Sequence, residues 1–104
     1  MFKGVAVALV TPFTEDGIDY SALEKLIDFH VNAGTECILV CGTTGESPTL
    51  SHAEHKQLVK HSADYLRSIR GTKSLPLLMA GTGSNSTREA LELTKAAKED
   101  GADI

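Results

Sequence analysis

Residues 41–47 read CGTTGES, two threonines between two glycines, directly after the apolar run CILV at 37–40. Hydroxyls and backbone amides gathered in such a turn, at the point where a strand gives way to a helix, suit a small anion and above all a carboxylate. A second turn of the same kind, GTGSNS at 81–86, follows the apolar run LPLLMA at 75–80. Neither is a nucleotide loop. No G-x-x-x-x-G-K-[ST] occurs, and GTGSNS ends on Ser86 where G-x-G-x-x-G needs glycine. The plain alternative is a pair of ordinary strand-to-helix turns whose glycines serve tight geometry.

Other residues with reactive side chains point less clearly. His52 and His55 stand three apart with Glu54 between them. H-E-x-x-H is absent, and two histidines without a third ligand rarely hold a metal, so a solvated or interfacial helix start accounts for them. Cys37 and Cys41 are the two cysteines. On one strand they lie about 13 Å apart, well beyond the roughly 7 Å a disulfide spans, so two buried free thiols are expected. Lys3, Lys25, Lys56, Lys60, Lys73, Lys95 and Lys98 fall before the first strand, in helices or in a loop. None reads as standing at the carboxyl end of a strand, where a desolvated nucleophilic amine belongs in a β/α fold.

The elements that must position these residues form three units of apolar strand, glycine-containing turn and amphipathic helix. Strands are expected over 4–10, 37–41 and 75–80. None alternates polar with apolar, which marks strands covered on both faces in a parallel sheet. Each helix opens on S-x-x-E, at Ser21–Glu24, Ser51–Glu54 and Ser86–Glu89, the pattern of a capping box, with Asp19 a competing cap for the first. Apolar residues then recur at helical spacing: Leu23, Leu26, Ile27 and Val31; Leu58, Val59, Leu66 and Ile69; Ala90, Leu93 and Ala97. Gly34, Gly71 and Gly101 follow the helix ends, where a left-handed residue is expected. GADI at 101–104 reads as a helix stop and the start of a fourth strand. Three parallel strands with right-handed crossovers carry helices on one side only. About eight apolar side chains on the other face then stand open, a loss on the order of 10 kcal/mol, so the sequence reads as the first part of something larger.

Composition sets the outer limits. The 104 residues are 41% hydrophobic and 23% charged with net charge −4, an ordinary globular balance for one domain. The basic residues are scattered, which argues against a nucleic-acid surface. No apolar run approaches the ~20 residues of a bilayer span, and the N-terminal apolar stretch reads as a strand, not a signal peptide. A cytoplasmic protein is expected.

AVALVTPF near the start, CGTTGESPTLSHAEH in the middle and AGTGSNSTREA near the end together resemble the dihydrodipicolinate synthase (4-hydroxy-tetrahydrodipicolinate synthase) family, over the whole chain and in order. Related N-acetylneuraminate lyases usually carry serine at the position of Thr43, so the double threonine favours the synthase. The resemblance implies an α/β fold, a (β/α)8 TIM barrel of which residues 1–104 are the N-terminal portion, covering about three βα units. It implies a homotetrameric lyase of lysine and diaminopimelate biosynthesis that joins pyruvate, held as a Schiff base, to aspartate semialdehyde, with no metal or organic cofactor. Thr43 then belongs to a proton relay and Thr44 holds the pyruvate carboxylate. Ser47, Pro48, His52, His55, Asn85 and Glu89 correspond to an allosteric pocket for lysine, with His52 and Glu89 weighted most. The Schiff-base lysine belongs on a sixth strand, its partner tyrosine on a fifth and an interface tyrosine after a fourth. The 104 residues alone are therefore expected to be inactive. The alternatives are another pyruvate-dependent aldolase on the same barrel and a non-catalytic partial-barrel module.

Overall fold

Apolar runs without polar alternation become the three strands of one parallel sheet. The computed structural model describes residues 2–69, 71 and 74–104; Lys73, read as a loop residue, lies outside them. Strands β1 (Ala6–Ala8), β4 (Cys37–Val40) and β5 (Leu77–Ala80) lie in the order β1-β4-β5. Ala6 is level with Cys37 and Leu77, and Ala8 with Leu39 and Met79. Between β1 and the first helix the chain makes a small antiparallel hairpin, β2 (Phe13–Thr14) and β3 (Gly17–Ile18). Helices α1 (Tyr20–Ala33), α2 (His52–Ser68) and α3 (Thr87–Asp100) follow the three sheet strands, and a short 3-10 turn, Ser47–Thr49, precedes α2.

One face of the sheet carries the core. Ile38, Val40 and Leu78 pack with Leu23 and Ile27 of α1, Leu58, Val59, Ala63 and Leu66 of α2, and Ala97 of α3. Each fully buried large aliphatic side chain there contributes ~1.5–3 kcal/mol. Successive residues of a strand point to opposite faces, so Ala6, Ala8, Cys37, Leu39, Leu77 and Met79 form the other face. Ala6 and Ala8 are exposed and Leu39, Leu77 and Met79 half-buried. The face without helices thus presents six apolar side chains in place of about eight, and Cys37 among them is fully buried.

The helix ends correct that reading in three places. α1 is capped by Asp19, whose Oδ1 accepts the Ala22 N–H at 3.0 Å; Ser21 lies inside the helix, so no box forms with Glu24. α2 has the full box, Ser51 Oγ accepting the Glu54 N–H at 3.1 Å and Glu54 Oε1 the Ser51 N–H at 3.0 Å. α3 has half of one, as described below. Gly34 and Gly101 close α1 and α3 in left-handed geometry, but Gly71 does not close α2. That helix ends at Ile69 with φ −93°. Replacing Asp19 by alanine is expected to cost about 1 kcal/mol, and Ser21 by alanine close to nothing. Urea denaturation of the two variants distinguishes the caps.

After Gly101 the chain turns alongside β5. Asp103 and Ile104 donate backbone N–H groups to Leu78 O, Ala80 donates to Ile104 O, and Asp103 Oδ2 accepts the Leu78 N–H at 2.8 Å. Asp103 and Ile104 thus run along the free edge of β5 without forming a fourth strand.

Candidate active-site loop and adjoining cavity

The CGTTGES turn leaves the sheet abruptly. Among the described residues two that are not glycine have positive φ, Cys41 at 57° and Glu46 at 58°, and they bracket residues 42–45. A non-glycine residue in left-handed geometry costs of order 1–3 kcal/mol and persists where its surroundings over-determine it. The glycines between them therefore serve close approach, not unusual φ. A Cβ on Gly45 would lie 3.1 Å from Leu9 O and 3.2 Å from both Cys41 N and Thr11 Oγ1. Thr11, buried three residues beyond β1, donates its hydroxyl to Gly45 O at 2.7 Å. Within the loop Glu46 N–H donates to Thr43 O at 3.0 Å and Ser47 N–H to Gly42 O at 3.3 Å. The backbone is fixed, while the side chains of Thr43 and Thr44 are exposed at the carboxyl end of β4.

The same turn separates the two cysteines. Both are buried free thiols. Left-handed Cys41 joins the core on the helix side, and Cys37 stands outside that cluster, so they do not share a face. Burial pushes the Cys41 thiol up to about 12, which leaves it protonated and unreactive at neutral pH.

Next to the loop lies an open cavity of about 630 Å³, lined among others by Thr43, Ser47, Pro48, His52, His55, Asn85 and Glu89. All six residues expected for an allosteric pocket border it. Thr43 borders it too, and Thr44 does not. His55 is buried, its Nε2 2.7 Å from Gly81 O. Burial, and in smaller part His52, hold its pKa below the usual histidine range, against the opposing pull of the Gly81 carbonyl. The neutral ring thus donates Nε2–H to that carbonyl and ties α2 to the loop after β5. His52 Nε2 stands 3.7 Å from Glu89 Oε2, with about half of each side chain in water, a pair that contributes little to stability.

Lys3 precedes β1, Lys25 is in α1, Lys56 and Lys60 are in α2, and Lys95 and Lys98 are in α3. None of these lines the cavity. Among the described residues no group of three or more His, Cys, Asp or Glu is placed to hold a metal ion. Sequence reasoning marked the 81–86 turn without giving Gly81 or Ser84 a role in it, and missed Thr11. Thr11 had only its place before Pro12 to mark it.

Comparison with known proteins bears on the whole chain. The profile of the dihydrodipicolinate synthetase family matches residues 1–104. The chain is 48% identical over 104 residues to the 4-hydroxy-tetrahydrodipicolinate synthase of Clostridium perfringens (strain SM101 / Type A), covering 100% of itself and 34% of that protein. It superposes on dihydrodipicolinate synthase from Aquifex aeolicus with a TM-score of 0.89 at 50% identity, over 98% of this chain and 33% of that one. The chloride-inhibited dihydrodipicolinate synthase from Acinetobacter baumannii, complexed with pyruvate, gives a TM-score of 0.88 at 47% identity, over 99% and 34%. The three βα units are therefore part of a (β/α)8 barrel fold, and the chain spans about a third of the length of the relatives it matches. Matched by the family profile over its whole length, the chain belongs to the dihydrodipicolinate synthetase family.

Proposed function

We propose that residues 1–104 are the N-terminal portion of a single-domain barrel enzyme, a cytoplasmic, homotetrameric 4-hydroxy-tetrahydrodipicolinate synthase acting in lysine and diaminopimelate biosynthesis. A lysine amine condenses with the C2 carbonyl of pyruvate, releasing water, to give an imine. Loss of a C3 proton gives the enamine, which attacks the aldehyde carbon of aspartate semialdehyde, and ring closure through that substrate's own amine frees the lysine. In this reading Thr44 holds the pyruvate carboxylate with its hydroxyl and backbone amide, and Thr43 passes protons to and from the bound intermediate. The observation that carries the reading is the loop itself. Two left-handed non-glycine residues hold two exposed hydroxyls at the carboxyl end of a parallel strand, the end at which barrel enzymes do their chemistry.

Incubation with pyruvate and borohydride followed by intact mass measurement tests it. The full-length chain is expected to gain one reduced pyruvyl adduct, and the 104-residue piece none, because its described lysines lie before β1 or in helices and not at the carboxyl end of a strand. An adduct on the piece, or none on the whole chain, overturns the assignment.

The cavity beside the loop is read as a regulatory site for lysine. Glu89 offers a carboxylate to an ammonium group, His52 stands beside that carboxylate, and Pro48 leaves a backbone carbonyl as acceptor. Binding at this site is expected to slow the enzyme, because Thr43 borders the cavity and the active-site loop at once.

A further inference from the structure

The cap of α3 differs from that of α2 by one inserted hydroxyl. In α2 the carboxylate of Glu54 bonds the N-cap amide directly, at 3.0 Å, and is used up there. α3 has the same S-x-x-E pattern, and Ser86 Oγ accepts the Glu89 N–H at 3.5 Å. Glu89 does not return the bond. The Ser86 N–H goes instead to Ser84 Oγ at 3.2 Å, and Ser84 donates its hydroxyl to Glu89 Oε2 at 2.6 Å. Ser84 thus stands between carboxylate and cap, satisfying both. The displaced Glu89 oxygen is the one that lies 3.7 Å from His52 across the cavity.

We infer that Ser84 is a positioning residue that converts Glu89 from a helix-capping group into the anionic wall of the cavity. The inference rests on the regulatory reading above and extends it: Ser84 borders the cavity itself, yet its effect on affinity for a ligand ammonium runs through where it holds Glu89. Without the Ser84 hydroxyl the Ser86 N–H loses its present acceptor, and the carboxylate of Glu89 can take that place as Glu54 does at Ser51 in α2. The box then closes as it does in α2, and the carboxylate withdraws from the cavity.

The test is a crystal structure of full-length Ser84→Ala together with calorimetric titration of L-lysine into the parent, Ser84→Ala and Ser84→Thr. In Ser84→Ala the Glu89 carboxylate is expected within about 3.2 Å of Ser86 N, with lysine bound about tenfold more weakly, in line with loss of a hydrogen bond to a charged group. Ser84→Thr, which keeps the hydroxyl, restores binding. The thermal midpoint of Ser84→Ala stays near that of the parent, since one cap bond replaces another, whereas a merely structural role predicts a fall in the midpoint. An unmoved carboxylate with parental affinity overturns the inference. If the parent itself takes up no lysine, the regulatory reading falls, and the position of Glu89 in the variant structure alone decides the role of Ser84.

Discussion

Replacing Thr43 by valine in the full-length enzyme is expected to lower kcat by roughly 10²-fold or more while leaving KM for pyruvate nearly unchanged. The isosteric exchange removes one hydroxyl and little else. The backbone around it is held by the Glu46-to-Thr43 and Ser47-to-Gly42 bonds and by Thr11 on Gly45, none of which uses the Thr43 side chain. That side chain is exposed, so no buried donor is left unpaired. What goes is the group proposed to carry protons during imine formation and release. Thr44→Val is expected to behave in the opposite sense, raising KM for pyruvate, because its hydroxyl is proposed to hold the carboxylate in ground and transition states alike. Steady-state kinetics with both substrates separates the two. A kcat for Thr43→Val within about threefold of the parent removes the relay role, since a positioned general acid or base contributes at least ~10².

The split between these neighbours also marks how far sequence alone carries. Strand identity was legible because residues such as Ile38, Leu39 and Val40 run without polar alternation, and a parallel sheet is the arrangement that covers them. The buried faces of the helices were legible for a similar reason. Leu23, Ile27, Leu58, Val59, Leu93 and Ala97 follow the helical period and are all buried. Local competition was less legible. Asp19 and Ser21 both fit a cap, and the choice fell to Asp19, whose own N–H is taken by Pro12 O at 2.8 Å, which fixes where the helix begins. The hairpin at Phe13–Ile18 went unread although Asp16-Gly17 marks a tight turn, because strands of two residues carry no period. Least legible was the loop. Its glycines drew attention, yet the left-handed residues are Cys41 and Glu46, and Gly45 answers to Leu9 and Thr11, atoms distant in sequence. For Glu89 the spacing pointed to a helix cap and the resemblance to a pocket, and nothing in the pattern chose between them. The S-x-x-E pattern is the same in α2 and α3, and the difference lies in a hydroxyl two residues before the cap.

Gly81 gives the second large effect, and it turns on that same dependence on distant atoms. A Cβ added there collides with the carbonyl oxygen of Cys41 and comes within 2.8 Å of Cys41 C and 3.1 Å of Gly42 N. All three are backbone atoms, so no side chain can swing aside to make room. The backbone of Gly81 is committed as well. Its N–H donates to Val40 O at 2.8 Å, and its carbonyl receives the buried His55 ring at 2.7 Å. To admit a methyl group, the turn after β5 must move away from the turn after β4, stretching both bonds and leaving His55 buried without its acceptor. Gly81→Ala is therefore expected to destabilise the fold by about 2–4 kcal/mol, overpacking and weakened hydrogen bonds together. Gly83 sits two residues on, in the same loop, with nothing within 4 Å of its Cβ position and no left-handed φ. Gly83→Ala is expected within about 0.5 kcal/mol of the parent. Denaturation of the two variants side by side decides the matter. A large loss at both positions would mean the loop needs glycine for backbone freedom, whereas a loss at Gly81 alone locates the requirement in the contact between the two turns, the contact that brings Thr43, His55 and Glu89 around one cavity.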